Sequence, residues 1–443
     1  MSDKQSRIEE ISRTYGDPWI WGIYLTLIIF SIVEGYSASS REIATQGVYG
    51  PLFKQVFFLG IGAVGAFGLS RINYNNKIVM LIMIPLLWIF TVCSLAYVQV
   101  AGEIINGARR AFTIPGIGLT VQPAELAKLS VVTALAYVLA RTQRKKDISN
   151  GGIAILLAIT AVFGGLMFTS GLTNTLLLGA ISYSMLLIGG VKWKKFGLVV
   201  GVTVLLGASY IYIGKMNDRK VANLAANNPE LLESNNTKQE VDRSQMREDR
   251  IENWKHRDSL VYKPITPYNQ QEMFSCMAQA HGGWIGKGIG NSRECSRLPL
   301  AFSDYIFSII IEEIGIIGGI FIMTLYLWLL ARAAMIARRC HRVLPALLII
   351  GMAAMITFQA LFHMAINTGV FPVSGQPLPL ISKGGTSILV VSVAFGVMLS
   401  VSRTVANYRY SKTAKEAESA DIALPESLSA ANPTEMLPKN EWK

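Results

Sequence analysis

The stretch Leu298-Pro299-Leu300-Ala301-Phe302-Ser303-Asp304-Tyr305-Ile306-Phe307-Ser308-Ile309-Ile310-Ile311-Glu312-Glu313 passes within a few residues from polar chain to a strongly apolar block, and its reading decides the fold. The apolar run continues to Ala331, which is long enough to cross a bilayer at about 20 residues per helical span. Asp304 then stands where membrane meets water, a place where a carboxylate is costly and marks function. Ser303-Asp304 ahead of an apolar run is also a good helix start, so Asp304 reads either as an N-cap or as a chemical group, and the two can coexist. Glu312 lies about 12 Å further along such a helix, turned by about 80° from Asp304.

Outward from this block the same pattern recurs. Apolar residues make up 51% of the 443 and charged ones 16%, and the apolar residues fall into ten blocks of spanning length: Trp19–Tyr36, Leu52–Leu69, Ile78–Val98, Pro123–Ala140, Gly152–Phe168, Asn174–Gly190, Phe196–Ile213, Tyr305–Ala331, Val343–Ile366 and Gly384–Ser402. The sequence therefore predicts an all-α polytopic membrane protein of about ten transmembrane helices, with one large loop, residues 214–303, between spans seven and eight. The first block lacks a small-residue cleavage site and carries Trp19 and Trp21 as interfacial anchors, so it reads as a span rather than a removable signal.

The net charge of +12 does not point to nucleic acid, because the basic residues cluster between apolar blocks. Arg141, Arg144, Lys145 and Lys146 follow the fourth, Lys192, Lys194 and Lys195 the sixth, and Arg332, Arg338, Arg339 and Arg342 the eighth. The positive-inside rule makes these loops cytoplasmic, with both termini inside a cytoplasmic membrane. Residues 1–18 are then a cytoplasmic lead-in, 19–213 hold spans one to seven, 214–303 are external, 304–403 hold spans eight to ten, and 404–443 are a disordered cytoplasmic tail. Cys276 and Cys295 share the external loop and are expected as two free thiols.

Several polar groups in this pattern carry chemistry or packing. Gly60, Gly62, Gly65 and Gly68 in the second span read as close helix packing, and Lys54 at its start as a snorkelling cation. Arg109 and Arg110 sit in an external loop, where few cations are expected, and point to an anionic ligand. Pro123 and Glu125 suit the first turn of a helix, where Glu125 and Lys128 can pair on one face, structurally or toward a ligand. His281 to Ser292 fails the phosphate-loop spacing, with Gly288 where a magnesium-binding Ser or Thr would stand; what remains is a flexible backbone with Lys287 placed for an anion. Gln359, His363 and Asn367 form one stripe of the ninth span and are expected to satisfy one another. Residues 367–383 hold three prolines at membrane depth and read as a re-entrant loop lining a cavity.

Taken jointly, these motifs resemble the shape, elongation, division and sporulation (SEDS) family. The resemblance is carried by Asn106-Gly107-Ala108 with Arg110, Gln122-Pro123-Ala124-Glu125 with Lys128, Gly286-Lys287-Gly288 with Gly290, Leu298-Pro299 with Ser303-Asp304, Glu312-Glu313 with Gly315, and Leu378-Pro379 through Ser382 to Gly384-Gly385 and Ser387. It implies a peptidoglycan glycosyltransferase that polymerises lipid II at the outer face of the cytoplasmic membrane, closest to the division members. It also implies Asp304 as the essential aspartate, with Arg110, Gln122, Glu125, Lys128, Lys287 and Ser382 toward substrate. A class B penicillin-binding transpeptidase and other divisome membrane proteins are the implied partners, and a divalent cation, Mg or Mn, the one cofactor, with no ligand set assigned. Three departures stand out: Ala111 where the family usually has Trp, Lys383 where it usually has Tyr, and no acidic residue between Phe168 and Thr175. The alternatives are a lipid II flippase, for which broken helices are equally natural, the elongation-type polymerase, and a non-catalytic scaffold.

Overall fold

The computed structural model describes residues 3–39, 43, 47, 49–73, 79–105, 108–114, 119–143, 148–227, 252, 254–255, 264–266, 269–298 and 300–422. In chain order the helices are α1 (Asp3–Tyr15), α2 (Pro18–Ser37), α3 (Tyr49–Arg71), α4 (Ile84–Ala101, after a π-turn at Val79–Met83), α5 (Pro123–Thr142), α6 (Asn150–Ser170) and α7 (Leu172–Ile188), followed by α8 (Trp193–Asn227), α9 (Gln270–Gly282), α10 (Ile306–Ala337), α11 (Val343–Asn367) and α12 (Gly385–Ile422). Each of the ten apolar blocks falls on one of these helices. Among the described residues eight helices are long and apolar enough to cross a membrane. The sixth block is the 17-residue α7, and the seventh is the apolar first part of the 35-residue α8. The sequence also predicts an external helix from about Asn236 to Trp254, which lies almost wholly outside the described residues, as do Asn106, Gly107, Arg144 to Lys146 and residues 423–443.

Three helices form the centre. In α5, α11 and α12 the spanning windows are 78%, 72% and 72% buried, against 22% in α3 and α4. The outer helices turn large apolar side chains outward, Val64, Ile89 and Leu205 among them. A continuous apolar exterior of this kind belongs against lipid, so the chain is a multi-pass membrane protein.

Each end of the bundle is tied by polar contacts. At one end Asp17 caps α2, its Oδ1 accepting from Trp19 N at 3.0 Å, while Arg332 Nη2 donates to Oδ2 at 2.6 Å and Asp17 N donates to Ser402 Oγ at 2.9 Å. At the other end Ser37 Oγ donates to Glu313 Oε1 at 2.5 Å. Between Glu312 and Ile317 helix α10 is broken at Gly315, which sits at φ 83°. The segment after α9 fills the break: Lys287 N donates to Glu312 O and Gly288 N to Glu313 O, both at 2.9 Å, and Ile316 N donates to Gly283 O at 3.0 Å. Backbone groups freed from a helix inside an apolar medium need such partners, and the glycine-rich loop supplies them.

Two features depart from the sequence reading. The segment between α4 and α5 is not plain loop but a three-stranded antiparallel sheet, β1 (Glu103–Ile105), β2 (Ala108–Ile114) and β3 (Leu119–Val121), with Ile105 opposite Ala108 across the Asn106-Gly107 dipeptide. Asn-Gly between two apolar runs is a hairpin signal in its own right. Of Gly60, Gly62, Gly65 and Gly68 in α3 only Gly62 serves close packing: a Cβ there would stand 2.5 Å from Ser392 Oγ of α12, whereas Gly60, Gly65 and Gly68 face open space. No disulfide joins Cys276 to Cys295.

The break at Gly315 admits no side chain, since a Cβ would lie 2.2 Å from Trp284 O at a positive φ. Gly315→Ala is expected to destabilise the purified protein by about 2 kcal/mol or more, read as a lowered melting temperature in detergent. Gly60→Ala, into open space, should leave the melting temperature where it is.

Candidate functional site

Asp304 is delivered to its place by a tight turn rather than by the helix that follows. Leu300 adopts φ 59°, and its carbonyl accepts from both Ser303 N and Asp304 N at 3.0 Å. Helix α10 begins one residue later than the sequence suggests: Tyr305 occupies the capping position, and no side chain caps it. Asp304 therefore stands one residue ahead of the capping position. Ser303 Oγ donates to its Oδ1 at 3.0 Å, and the main chain at Gly375 lies so close that a Cβ there would be 2.9 Å from Oδ2.

The opposite wall is the irregular segment from Thr368 to Gly384. Gln376 through Ser382 are buried, and helix side chains meet the carbonyls of this segment. Ser31 Oγ donates to Leu380 O at 2.6 Å, Tyr326 OH to Pro379 O at 2.6 Å, and Gln359 Nε2 to Pro377 O at 3.2 Å. Leu380, at φ 65°, is also in the left-handed region. Leu300 lines the cavity beside Asp304, while Leu380 is buried in the irregular segment behind it; strained backbone of this kind tends to occur at functional sites.

That cavity has a volume of about 310 Å³ and opens beside Asp304, with Arg110 and Ala111 from β2, Gln122 before α5, Lys54 and Phe58 from α3, and Phe302, Lys383 and Thr386 around it. Three cationic residues and one carboxylate thus share the lining, and an anionic ligand is what such a wall favours. Arg110 and Gln122 are the substrate candidates from the sequence that this cavity brings together with Asp304. Lys54 and Lys383 are the two lining cations that sequence reasoning passed over. Lys54 reads from sequence as an interfacial anchor, yet in the first turns of α3 it lines the cavity; Lys383 lies 5.2 Å over the Phe302 ring, and its backbone N donates to Phe302 O at 3.0 Å. The neighbouring arginines part company, since Arg109 Nη1 donates to the carbonyls of Gln99 and Val100 at the end of α4.

The remaining candidates stand behind or away from the lining. Lys128 is wholly buried, its Nζ donating to Glu125 Oε1 and Gln359 Oε1 at 2.7 Å each, and Ser387 Oγ donates to Glu125 Oε2 at 3.4 Å. This network joins α5, α11 and α12 beneath the cavity. Ser382 is likewise buried: its Oγ accepts from Leu378 N and donates to Ser303 O, both at 2.7 Å, tying the irregular segment to the residue before Asp304. Lys287 is exposed on the loop that fills the α10 break and does not line the cavity.

The donor set does not fit a resident divalent cation. Asp304 is the one carboxylate of the lining, three cations flank it, and among the described residues no group of three or more His, Cys, Asp or Glu side chains could hold a metal.

Removing one partner of a buried ion pair leaves an uncompensated charge and costs about 3–5 kcal/mol. Lys128→Met is accordingly expected to lower the melting temperature sharply, and the double variant Glu125→Gln with Lys128→Met to recover a good part of the loss. Equal melting temperatures for the single variant and the parent would place the pair's role outside folding.

The FtsW/RodA/SpoVE family model, described as "Cell cycle protein", matches residues 18–407. The chain is similar to the protein of Halomonas elongata named "Probable peptidoglycan glycosyltransferase FtsW", with 29% identity over 396 residues, 87% of this chain and 90% of that one. A Lactococcus lactis protein of the same name is 28% identical over 410 residues, 86% of this chain and 90% of its own. Among solved structures, the rod shape determining protein RodA of Thermus thermophilus has a TM-score of 0.57 at 22% identity, over 88% of this chain and 97% of that one, a likeness of fold. A chain from the structure described as "Structural coordination of polymerization and crosslinking by a peptidoglycan synthase complex" has a TM-score of 0.60 at 25% identity, over 87% of this chain and 98% of its own.

Proposed function

The chain belongs to the FtsW/RodA/SpoVE family, and on that premise we propose that it is a peptidoglycan glycosyltransferase that polymerises lipid II into glycan strands for septal synthesis. The observation that carries the reading is the convergence of one carboxylate, Asp304, with Arg110, Lys54 and Lys383 around a single cavity. Lengthening a glycan from a lipid-diphosphate donor needs a base for the attacking hydroxyl and positive charge for the leaving group. Asp304 takes the proton of the acceptor 4-hydroxyl as its oxygen bonds to the anomeric carbon of the donor. The bond from that carbon to the diphosphate oxygen breaks with inversion, and undecaprenyl diphosphate leaves into the field of the three cations. Gln122 hydrogen-bonds the sugar, while Glu125, Lys128 and Ser382 hold the walls in place.

In this reading both termini are on the cytoplasmic side of the cytoplasmic membrane and the cavity on the outer side, a topology supported by the basic loops through the positive-inside rule. A class B penicillin-binding transpeptidase is the proposed partner, supported by the similarity to a chain of a peptidoglycan synthase complex, with other divisome membrane proteins around the pair. A flippase would need polar groups distributed along a path through the bundle; here the candidate groups gather at one end, and the described interior is packed with buried apolar side chains such as Ile310, Phe395 and Leu399.

Reconstituted with fluorescent lipid II and the transpeptidase, the protein should build glycan polymer, and Asp304→Asn should lose at least about 10²-fold in rate while remaining folded. Movement of lipid II across the bilayer with no polymer would instead favour the flippase. Arg110→Ala should raise the lipid II concentration needed for half-maximal rate by about tenfold, the loss of one charge-assisted contact. Unchanged kinetics in that variant would put the diphosphate elsewhere.

A further inference from the structure

His363 and Asn367, one turn apart near the end of α11, are almost completely buried, with 0% and 2% of their surfaces exposed. Each reaches a different wall of the cavity. The Asn367 Nδ2 group donates to Asp304 O at 3.0 Å, and its Oδ1 accepts from Ser308 Oγ at 2.9 Å and Ser308 N at 3.3 Å, in the first turn of α10. The ring of His363 meets Gln376 O through Nδ1 at 2.6 Å, and Nε2 lies 3.3 Å from Asn367 Nδ2. Only one tautomer satisfies both contacts: a carbonyl oxygen accepts, so Nδ1 carries the proton, and Nε2 accepts from the amide.

The two walls so joined are those that confine the carboxylate. Gln376 follows Gly375, whose backbone lies against Asp304 Oδ2, and Asp304 O belongs to the same residue as that carboxylate. From behind, Ser275 and Gln279 of α9 donate to Asn367 O at 3.2 and 2.7 Å, so the amide's own backbone is held as well. Mutual satisfaction of polar groups in lipid would need only a pair; this chain instead spans from one side of the carboxylate to the other.

We propose that His363 and Asn367 are positioning residues for Asp304, fixing the separation between its carboxylate and the Gly375-Gln376 backbone, an inference that rests on Asp304 being the base. A displacement of about 1 Å at such a group can cost up to about 10²-fold in rate without weakening substrate binding. The effect belongs in kcat and not in KM, because neither side chain lines the cavity.

The full-length protein, reconstituted with lipid II and the transpeptidase, tests this with variants whose folding is checked by melting temperature. His363→Leu, which has neither donor nor acceptor, is expected to lower kcat by about tenfold or more while KM for lipid II stays within about twofold. His363→Gln, whose amide both donates and accepts, should recover most of that loss. Asn367→Asp keeps the shape and the contacts from Ser308 but has no proton for Asp304 O, and should lose kcat in the same way. A wild-type kcat in folded Asn367→Asp overturns the proposal, as does a deficit in His363→Gln equal to that in His363→Leu, or a rise in KM at constant kcat. Should His363→Leu not fold, the kcat of Asn367→Asp decides alone. Asp304→Asn measured alongside keeps the two claims apart: normal turnover there defeats the base, whereas its loss together with normal turnover in the α11 variants defeats positioning only.

Discussion

An irregular backbone buried at membrane depth is the constraint on which the rest of this molecule depends. Each carbonyl left without a partner in an apolar medium costs several kcal/mol, and residues 376–382 leave several to be met. Helices α2, α10 and α11 meet them with Ser31, Tyr326, Gln359 and His363. These polar side chains would be liabilities in spans that only crossed the bilayer. The gain is a rigid, non-helical wall that stands against Asp304 and that no regular helix could provide. The same solution recurs on a smaller scale where α10 breaks at Gly315 and the loop after α9 supplies the missing partners.

Electrostatics follow from that scaffold. The cations near Asp304 come from separate parts of the chain, Lys54 from α3, Arg110 from β2 and Lys383 from the edge of the irregular segment. The small sheet has its place here, since it carries Arg110 inward while Arg109 is engaged with the end of α4. Lys128, which carries charge of the same sign, is neutralised by Glu125 and buried. Cationic residues that look equivalent in sequence are thus divided between those that face a ligand and those that hold helices together.

Much of this division was not legible in the sequence, and the reasons are physical. The helices of the ten apolar blocks were, eight of them long and apolar enough to cross a membrane among the described residues, because apolar length is a strong local signal. The position of Asp304 just ahead of α10 was, because it marks the boundary between polar and apolar chain. The sheet was missed although Asn106-Gly107 between apolar runs carries its signal, because a short hairpin between two spans is outweighed by the helical pattern around it. Lys54 reads from sequence as an anchor and Lys287 as a ligand contact, whereas in the structure Lys54 shares the cavity lining with Asp304 and Lys287 does not. Lys54 sits on α3, which packs against α12, whereas Lys287 sits on the loop that fills the α10 break, a tertiary difference with no local trace. The stripe of Gln359, His363 and Asn367 was visible at its spacing of four, but its partners lie in residues 376–377 and 304–308, which only the fold brings together.

The most direct measurement is a structure of the Asp304→Asn protein, with its transpeptidase, trapped with lipid II. The account predicts diphosphate density within hydrogen-bond reach, about 2.6–3.2 Å, of Arg110 and one of the two lysines Lys54 and Lys383, with a sugar hydroxyl against the substituted side chain. Diphosphate seated instead on the Lys287 loop, with the cavity beside residue 304 holding no part of the substrate, would contradict it.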